Sequence, residues 1–283
     1  MKRGATPRPP RGSRAKVADD HFRLDCGLAV SPRLAAQCLL DAARTAAFLR
    51  GTLAAIGEAR RRFPKEPIEV VYAGTGPFAT LALPLFDQLD PRRVRFTLID
   101  IDDRPTESVR SLVEHFGFGN SVKAIIRADA TKYRHDAPVH VVVTERMQRA
   151  LSREPFVAIV RHLAPQLAEG GLLVPERVTL DLMLLDVKGE QVRWYGESAG
   201  HHPEHVATID TDRETLVTMA LAPEKWPALF TTIQVFGDET LLPYASGLTA
   251  PEILWELVPL THELRLAFRY ETGAEPRVRW GAH

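Results

Sequence analysis

The chain has few of the residues that mark several protein classes. Of its 283 residues only two are cysteines, Cys26 and Cys38, and they do not have CxxC spacing. We expect them to be reduced core thiols of a predicted helical region in a cytoplasmic protein, not a disulfide framework. No apolar run approaches the length that crosses a bilayer, so no membrane partner is predicted. The formal net charge is zero, which gives no electrostatic argument for nucleic acid as a partner.

The charge that is present is uneven along the chain. Residues 1–18 contain no acidic side chain and three prolines. Their basic residues are Lys2, Arg3, Arg8, Arg11, Arg14 and Lys16. No apolar stretch follows, so the segment is not a secretory signal, and we predict a basic disordered tail over residues 1–18.

Strands and helices are predicted to alternate between residues 68 and 174. The predicted strands lie at 68–73, 95–99, 122–126, 140–144 and 172–174. The predicted helices lie at 31–62, with a break possible at Gly51, and at 77–89, 107–116 and 155–168. This pattern predicts an α/β domain over residues 19–175, in which N-terminal helices precede a Rossmann-like doubly wound sheet.

The pattern changes after Pro175. Strands are predicted at 178–187, 191–194, 216–221, 231–236, 254–259 and 264–270, with turns between them and few helical signals. We therefore predict a smaller, mostly antiparallel β-barrel or sandwich domain over residues 176–283, on the substrate side of the molecule.

A glycine loop follows the first predicted strand of the sheet. Gly74 and Gly76 lie between this strand and the next predicted helix, where they let backbone approach a ligand and the helix N-terminus favours an anionic group. Asp100, at the end of the next strand, is the expected carboxylate for a ribose diol. Asp129 ends the third strand, where it could meet an adenine amino group. The alternative is a glycine loop that only turns the chain.

S-adenosylmethionine is favoured over a nicotinamide for this loop. A long helical segment precedes the first strand, whereas a dinucleotide domain more often begins at its glycine loop. No Tyr-x-x-x-Lys or other hydride-transfer signature is present where one would be needed.

Two acidic residues follow the fourth predicted strand. Glu145 ends the run of β-branched residues at 140–144, and Glu154 comes nine residues later, before Pro155. Open α/β sheets place their chemistry at the carboxyl ends of strands. Two carboxylates on one loop can each offer a bidentate edge to a guanidinium. The alternative is an acidic surface loop.

These residues carry a resemblance to a known family. The segment Thr-Glu-Arg-Met-Gln-Arg-Ala-Leu-Ser-Arg-Glu at 144–154 resembles the double-glutamate loop of the protein arginine methyltransferases, which are class I S-adenosylmethionine-dependent enzymes. Asp-Ala-Ala-Arg-Thr at 41–45 is similar to that family's Asp-x-x-Arg-Thr. Leu-Ala-Glu-Gly-Gly-Leu-Leu-Val-Pro at 167–175 resembles the family's passage from sheet to barrel. The resemblance covers about residues 34–180.

The resemblance implies S-adenosylmethionine as the cofactor and gives each residue a role. Arg44 would bind the methionyl carboxylate as a charge-assisted pair. The remaining residues implied at the cofactor are Gly74 and Gly76 along its length, Asp100 at the ribose hydroxyls and Asp129 near adenine. Glu145 and Glu154 would clamp the guanidinium of the substrate, which makes them the predicted catalytic residues.

The chain also departs from the family's pattern. Val70 and Tyr72 stand where the family usually has an acid and an extra leading glycine, and Tyr72 is expected to narrow the cofactor pocket or change a contact in it. Arg146 and Gln148 replace a usual aromatic residue and a glycine. The second domain is shorter than the family's, so the arm that the family uses for its dimer is expected to be missing. A homodimer stays open as a partner prediction.

The predicted reaction is N-methylation of an arginine guanidinium, with one of Glu145 and Glu154 accepting the released proton. Free L-arginine or a small arginine-containing molecule, in natural-product biosynthesis, is favoured over a large protein because the second domain is short and the net charge is zero. Three alternatives stay open: methylation of another amine, a phenol or a carboxyl group; a nicotinamide enzyme; and a cofactor-binding module without turnover. No metal site is predicted, since Pro203 interrupts the spacing of the histidines at 201, 202 and 205.

Overall fold

A computed structural model of the protein describes residues 21–186, 203–220, 225–258 and 263–283. The basic segment at 1–18, the strand predicted at 191–194, and His201 and His202 lie outside the described residues.

The described chain begins with a hairpin and two helices. Strands β1 (Phe22–Leu24) and β2 (Gly27–Ala29) pair antiparallel and are followed by α1 (Pro32–Gln37) and α2 (Ala42–Arg62). Ser31 caps α1 and Asp41 caps α2, each accepting from a backbone N–H of the first turn. The single helix predicted at 31–62 is therefore interrupted at Asp41.

The possible break at Gly51 is not present, because Gly51 lies inside the continuous helix α2. A Cβ at this position would lie 2.5 Å from Val235 Cγ1. The glycine thus permits close packing between α2 and the second half of the chain.

Five parallel strands follow, in the order predicted. They are β3 (Ile68–Ala73), β4 (Val94–Asp100), β5 (Val122–Arg127), β6 (Val139–Thr144) and β7 (Leu167–Val174). Their spatial order is β5-β4-β3-β6-β7 and every neighbouring pair is parallel. The crossovers contain α3 (Asp103–His115) between β4 and β5, and α4 (Phe156–Leu163) between β6 and β7.

Both faces of this sheet are covered, as the uninterrupted apolar strands require. Val70 and Tyr72 of β3 share a buried cluster with Phe48 and Ile56 of α2. The alternate residue Val71 lies in a second buried cluster that also contains Ile159 and Leu163 of α4. The prediction of a doubly wound parallel sheet is confirmed.

One predicted helix is wrong, and another ends earlier than predicted. The segment predicted as a helix at 77–89 consists of turns followed by the 3₁₀ helix Leu83–Gln88, because Ala79 has φ +41° and Pro84 cannot donate a backbone hydrogen bond. The helix predicted to reach residue 168 ends at Leu163. Gly170 and Gly171 consequently lie within β7, beside an irregularity in its pairing with β6.

The second half of the described chain contains two antiparallel sheets. One has the order β12-β11-β8-β9, with β13 also paired to β11, and the other has the order β10-β14-β15. Their strands are β8 (Arg177–Asp186), β9 (Glu204–Ile209), β10 (Glu214–Ala220), β11 (Lys225–Phe236), β12 (Glu239–Leu241), β13 (Glu252–Ile253), β14 (Glu263–Glu271) and β15 (Arg277–Ala282). The antiparallel class predicted for this half is confirmed.

The strand predicted at 254–259 is wrong, since Trp255–Leu257 forms a 3₁₀ turn. Four strands of this half were not predicted, namely β9, β12, β13 and β15, and neither were β1 and β2 of the N-terminal hairpin. No helix within the described ranges is long and apolar enough to cross a membrane.

Candidate active site

The predicted site residues meet at the carboxyl ends of β3 and β6, the two central strands of the parallel sheet. The chain runs from β3 outward to β4 and β5 on one side, and through β6 to β7 on the other. This is the point where the strand order reverses, and such points form the ligand crevice of open α/β sheets. Ala73 and Thr144 are register partners, so Gly74 and Glu145 leave the sheet side by side.

Five predicted residues line one small cavity at this point. The cavity has a volume of about 40 Å³. Its walls include Arg44, Tyr72, Gly74, Gly76 and Glu145, together with Cys38 and Arg146. Helix α2 therefore brings Arg44 to the glycine loop, although the two are 30 residues apart in the sequence.

A second small cavity lies beside the first and shares Gly74 and Arg146 with it. Its volume is about 30 Å³, and both Asp100 and Asp129 line it. The β1–β2 hairpin contributes Leu24 and Ala29 to its wall. Seven of the eight predicted site residues thus line one of two adjoining cavities, and the eighth, Glu154, is buried and lies near Arg146, which lines both.

Asp100 and Asp129 also hold their own loops. Asp100 Oδ2 accepts from the backbone N–H of Gly76 at 2.9 Å and Oδ1 accepts from that of Asp102 at 3.2 Å. Asp129 Oδ1 accepts from the backbone N–H and the hydroxyl of Thr131, at 2.9 and 2.7 Å. Each carboxylate has about four lone-pair sites, so these bonds leave acceptor capacity for ligand hydroxyl or amino groups.

Glu145 is an under-satisfied carboxylate in this site. Its Oε1 lies 3.3 Å from Arg44 Nη1, yet this buried atom makes no hydrogen bond, and neither does the buried Thr144 hydroxyl next to it. Burial, together with the nearby Glu154 carboxylate, raises the pKa of Glu145 to about 7, although Arg44 opposes the shift. A carboxyl that titrates near neutrality in a cleft is a candidate acid or base.

Glu154 has a different partner, the guanidinium of Arg146. Arg146 Nη2 lies 3.5 Å from Glu154 Oε2, and the side chains are 13% and 8% exposed. The aliphatic stem of Arg146 packs on the glycine loop, since a Cβ at Gly74 would lie 2.1 Å from Arg146 Cδ and 2.3 Å from Cγ. The two acids predicted to clamp a substrate guanidinium are therefore each paired with a guanidinium of the chain itself.

The loop between the two acids has a strained backbone. Ala150, Leu151 and Arg153 have φ values of +52°, +52° and +67°, a region that residues with a Cβ rarely adopt. Such conformations persist where surrounding structure enforces them, and they cluster at functional sites.

Both halves of the chain hold this loop in place. The Thr231 hydroxyl accepts from Ala150 N–H at 3.1 Å, and the Tyr270 hydroxyl donates to Leu151 O at 2.7 Å. The backbone carbonyl of Arg153 accepts from Leu28 N–H of the hairpin at 2.7 Å, and its backbone N–H donates to Pro276 O at 2.8 Å.

A larger cavity, of about 620 Å³, adjoins the other side of this loop. Ala150, Ser152 and Arg153 line it, and the rest of its wall comes from β1–β2 and the antiparallel half. Its charged lining residues are Arg23, Arg153, Glu252, Glu256, Glu275 and Arg277. The volume is within the range of roughly 300–1,000 Å³ that small-molecule sites have.

The side chains that line the two cavities fit the groups of S-adenosylmethionine. The space between them is too small for this molecule while Arg146 keeps its position. Arg44 supplies a buried cation for a carboxylate, and Asp100 supplies acceptors for hydroxyl groups. The glycine backbone that a cofactor would approach is covered by the stem of Arg146. Residues for the cofactor are present, and the side chain of Arg146 lies in the space between them.

Several features of the site have no signal in the sequence. Arg146 was recognisable as a departure from the family's pattern, but not as the residue that fills the cleft. Asp41 joins the two halves of the molecule, since its Oδ2 accepts from Gly247 N–H at 2.8 Å while Oδ1 caps α2. Such contacts between residues far apart in the chain require the fold.

The prediction for the cysteines needs correction. Cys26 and Cys38 are free, but both are partly exposed and neither lies in an α-helix, so they are not core thiols. His205, the one described histidine of the 201–205 cluster, lies 3.3 Å from Asp181 Oδ1 on the neighbouring strand.

The fold is similar to that of two solved protein arginine methyltransferases. The chain matches the Trypanosoma brucei PRMT1 enzyme–prozyme heterotetrameric complex with AdoHcy at a TM-score of 0.58 and 13% identity, over 83% of this chain and 86% of that one. It matches Arabidopsis thaliana protein arginine methyltransferase 10 at a TM-score of 0.55 and 13% identity, over 81% and 85%. No protein-family model and no curated protein sequence matches the chain. The fold is thus that of a Rossmann-like sheet followed by antiparallel sheets, as in protein arginine methyltransferases.

Proposed function

We propose that the protein is an S-adenosylmethionine-dependent methyltransferase that acts on an arginine guanidinium. The observation that carries the proposal is the placement of Glu145 at the switch point of the sheet, beside Gly74 and in contact with Arg44. Fold alone does not determine function, so the proposal depends on the chemistry of these side chains.

The cofactor would lie across the glycine loop. Arg44 would hold its carboxylate and Asp100 its ribose hydroxyls, with Asp129 on the adenine side. When bound, S-adenosylmethionine supplies a methyl group on a positively charged sulfur, and this sulfur leaves as a neutral thioether.

The acids of the strained loop would orient the acceptor. A guanidinium has a pKa above about 12 and is a poor nucleophile while its charge is spread over three nitrogens. Glu145 and Glu154 would pair with two of its edges and aim one nitrogen along the line of transfer, where alignment supplies much of the rate enhancement. As the N–C bond forms, this nitrogen loses a proton, and Glu145 would accept it because its pKa of about 7 suits a base near neutral pH.

Free L-arginine is the acceptor that the surroundings of the loop favour. The cavity of about 620 Å³, which is lined by Ser152 and Arg153 of this loop, carries arginines that suit an α-carboxylate and glutamates that suit an α-ammonium group. A zwitterionic amino acid presents both of these charges. A natural-product pathway would supply such a substrate.

One observation favours a second candidate, methylation of another amine, a phenol or a carboxyl group. If Arg146 stays on Glu154 while the cofactor is bound, Glu145 alone is left to act on the acceptor. A single base suits a neutral nucleophile better than a planar cation.

Incubation of the purified full chain with methyl-labelled S-adenosylmethionine and a panel of acceptors tests the proposal. The panel contains L-arginine, an arginine-rich peptide, a phenol and a simple amine. We expect labelled N-methylarginine from L-arginine, and a loss on the order of 10²–10⁴ in rate for Glu145→Gln, as for other acid–base residues. Glu107→Gln, at an exposed position of α3, is the matched control and should keep full activity.

The same panel separates the candidates. Transfer to the phenol or amine without transfer to any arginine would replace the guanidinium by the second candidate. A strong preference for the peptide would reject free L-arginine, and unchanged turnover by Glu145→Gln would reject the site.

A further inference from the structure

Arg146 occupies the centre of the site, where the cofactor and the acceptor would both bind. Its stem covers the backbone of Gly74, and its guanidinium lies 3.5 Å from Glu154. The first contact is in the path of the cofactor. The second fills one half of the predicted guanidinium clamp.

The two cavities show the consequence for any ligand. Arg44 lines one cavity and Asp100 lines the other, while Gly74 and Arg146 line both. At about 40 and 30 Å³, each is far below the range of roughly 300–1,000 Å³ that small-molecule sites have. Because Arg146 lines both cavities, an S-adenosyl ligand that contacts Arg44 and Asp100 at once would have to displace its side chain.

The charges explain why Arg146 lies there and what can replace it. A buried guanidinium requires a partner, and so does a buried carboxylate, because an unpaired charge in a desolvated site is strongly unfavourable. Arg146 and Glu154 supply this partner to each other. If Arg146 leaves, Glu154 needs another cation, and a second guanidinium offers the same charge and donor geometry.

We propose that Arg146 is an internal guanidinium that competes with both ligands of the site, with the cofactor at Gly74 and with the acceptor at Glu154. The inference rests on the proposed function and adds a specificity-determining residue to it. The apparent affinity for the cofactor is then the intrinsic affinity multiplied by the fraction of molecules in which Arg146 does not cover Gly74. It also favours guanidinium acceptors, because these can replace it on Glu154.

Direct binding of S-adenosylhomocysteine, measured by calorimetry on the full chain, tests the inference without activity as the readout. We expect Arg146→Ala to bind S-adenosylhomocysteine at least about tenfold more tightly than the unchanged protein. Arg146→Met keeps an unbranched stem over Gly74 and removes the charge, so it should bind with intermediate affinity. Arg149→Ala is the matched control, since this arginine of the same loop is 42% exposed and pairs with Glu252.

A second variant covers the event that Arg146→Ala does not fold, since it leaves Glu154 buried without a cation. Arg146→Ala combined with Glu154→Gln removes both charges together, which proteins tolerate better than the loss of one partner. It should show the same tighter binding, because the stem over Gly74 is gone.

The outcomes separate this inference from the proposed function. Tighter binding of S-adenosylhomocysteine by either protein with Arg146→Ala supports the inference. Binding by these variants, where the unchanged protein shows none, supports it too. Equal or weaker binding by a folded Arg146→Ala variant, beside clear binding by the unchanged protein, overturns the inference and leaves the cofactor proposal intact. No binding by any of the proteins overturns both.

Discussion

Arg44 Nη1 lies 3.3 Å from Glu145 Oε1, so the residue proposed to hold the cofactor touches the residue proposed to act on the acceptor. The two sites are therefore linked through one ion pair. When a cofactor carboxylate pairs with the guanidinium of Arg44, the carboxylate of Glu145 becomes available to another cation or to a proton.

The role of Arg44 can be tested by its removal. Arg44→Met should weaken binding of S-adenosylhomocysteine by about 10- to 150-fold, because a hydrogen bond to a charged group contributes roughly 1.5–3 kcal/mol. Calorimetry measures the change. Arg50→Met is the control on the same helix, since Arg50 pairs with Glu239 at the surface. Equal affinity for the Arg44→Met protein would show that Arg44 does not contact the cofactor.

The pKa of Glu145 predicts how methyl transfer depends on pH. Glu145 is the proposed proton acceptor, and only its ionised form can act, so kcat/KM should fall as pH drops through about 7. The rate profile of the unchanged protein should show this inflection, and that of Glu145→Gln should lack it. A flat profile between pH 6 and pH 8 would contradict a role for Glu145 as the base.

The same group predicts a pH dependence of stability. The folded-state pKa of about 7 is above the reference value of 4.5, so the folded protein binds the proton more tightly than the unfolded chain. The contribution of Glu145 to the free energy of unfolding is then fully present below pH 4.5 and is lost as pH rises to 7. Denaturant titrations at pH 5 and pH 8 should show that Glu145→Gln loses less stability over this interval than the unchanged protein. An identical pH dependence of stability in both proteins would mean that the pKa of the Glu145 carboxyl is not raised in the folded state.

Substitution of two glycines of α2 by alanine should change the stability of the protein in opposite directions. Gly51→Ala would place a Cβ 2.5 Å from Val235 Cγ1 in the core, and overpacking of this kind destabilises by about 1–3 kcal/mol. Gly57 has no atom within 4 Å of the Cβ position, so Gly57→Ala should stabilise by about 0.5–1 kcal/mol through its helix propensity. Urea denaturation measures both changes. A neutral Gly51→Ala would show that α2 does not pack this closely on β11.

The parallel sheet was predictable because its strands carry their own signal. Buried strands such as Val139–Thr144 are rich in β-branched residues, and their alternation with helices predicts parallel pairing. The turns at 77–82 could not be predicted in this way. The positive φ of Ala79 and the 3₁₀ turn at Leu83–Gln88 depend on packing that a local apolar pattern does not encode.

The candidate site was predictable in part for the same reason. Gly74, Asp100 and Glu145 follow strands, so the geometry of a parallel sheet brings them to one edge. The contact of Arg146 with Gly74 joins residues 72 positions apart and depends on the direction of one side chain. A residue that replaces the usual aromatic identifies a difference from the family, and only the fold shows what the difference does.

A thermal unfolding experiment tests whether the cleft at β3 and β6 binds an S-adenosyl cofactor. The purified full chain is melted alone, with S-adenosylhomocysteine and with NAD, each ligand in large excess. A ligand that binds the folded state raises the melting temperature, by an amount that grows with its concentration over Kd. The melting temperature should rise with S-adenosylhomocysteine and should not change with NAD. A rise with NAD alone would contradict this prediction.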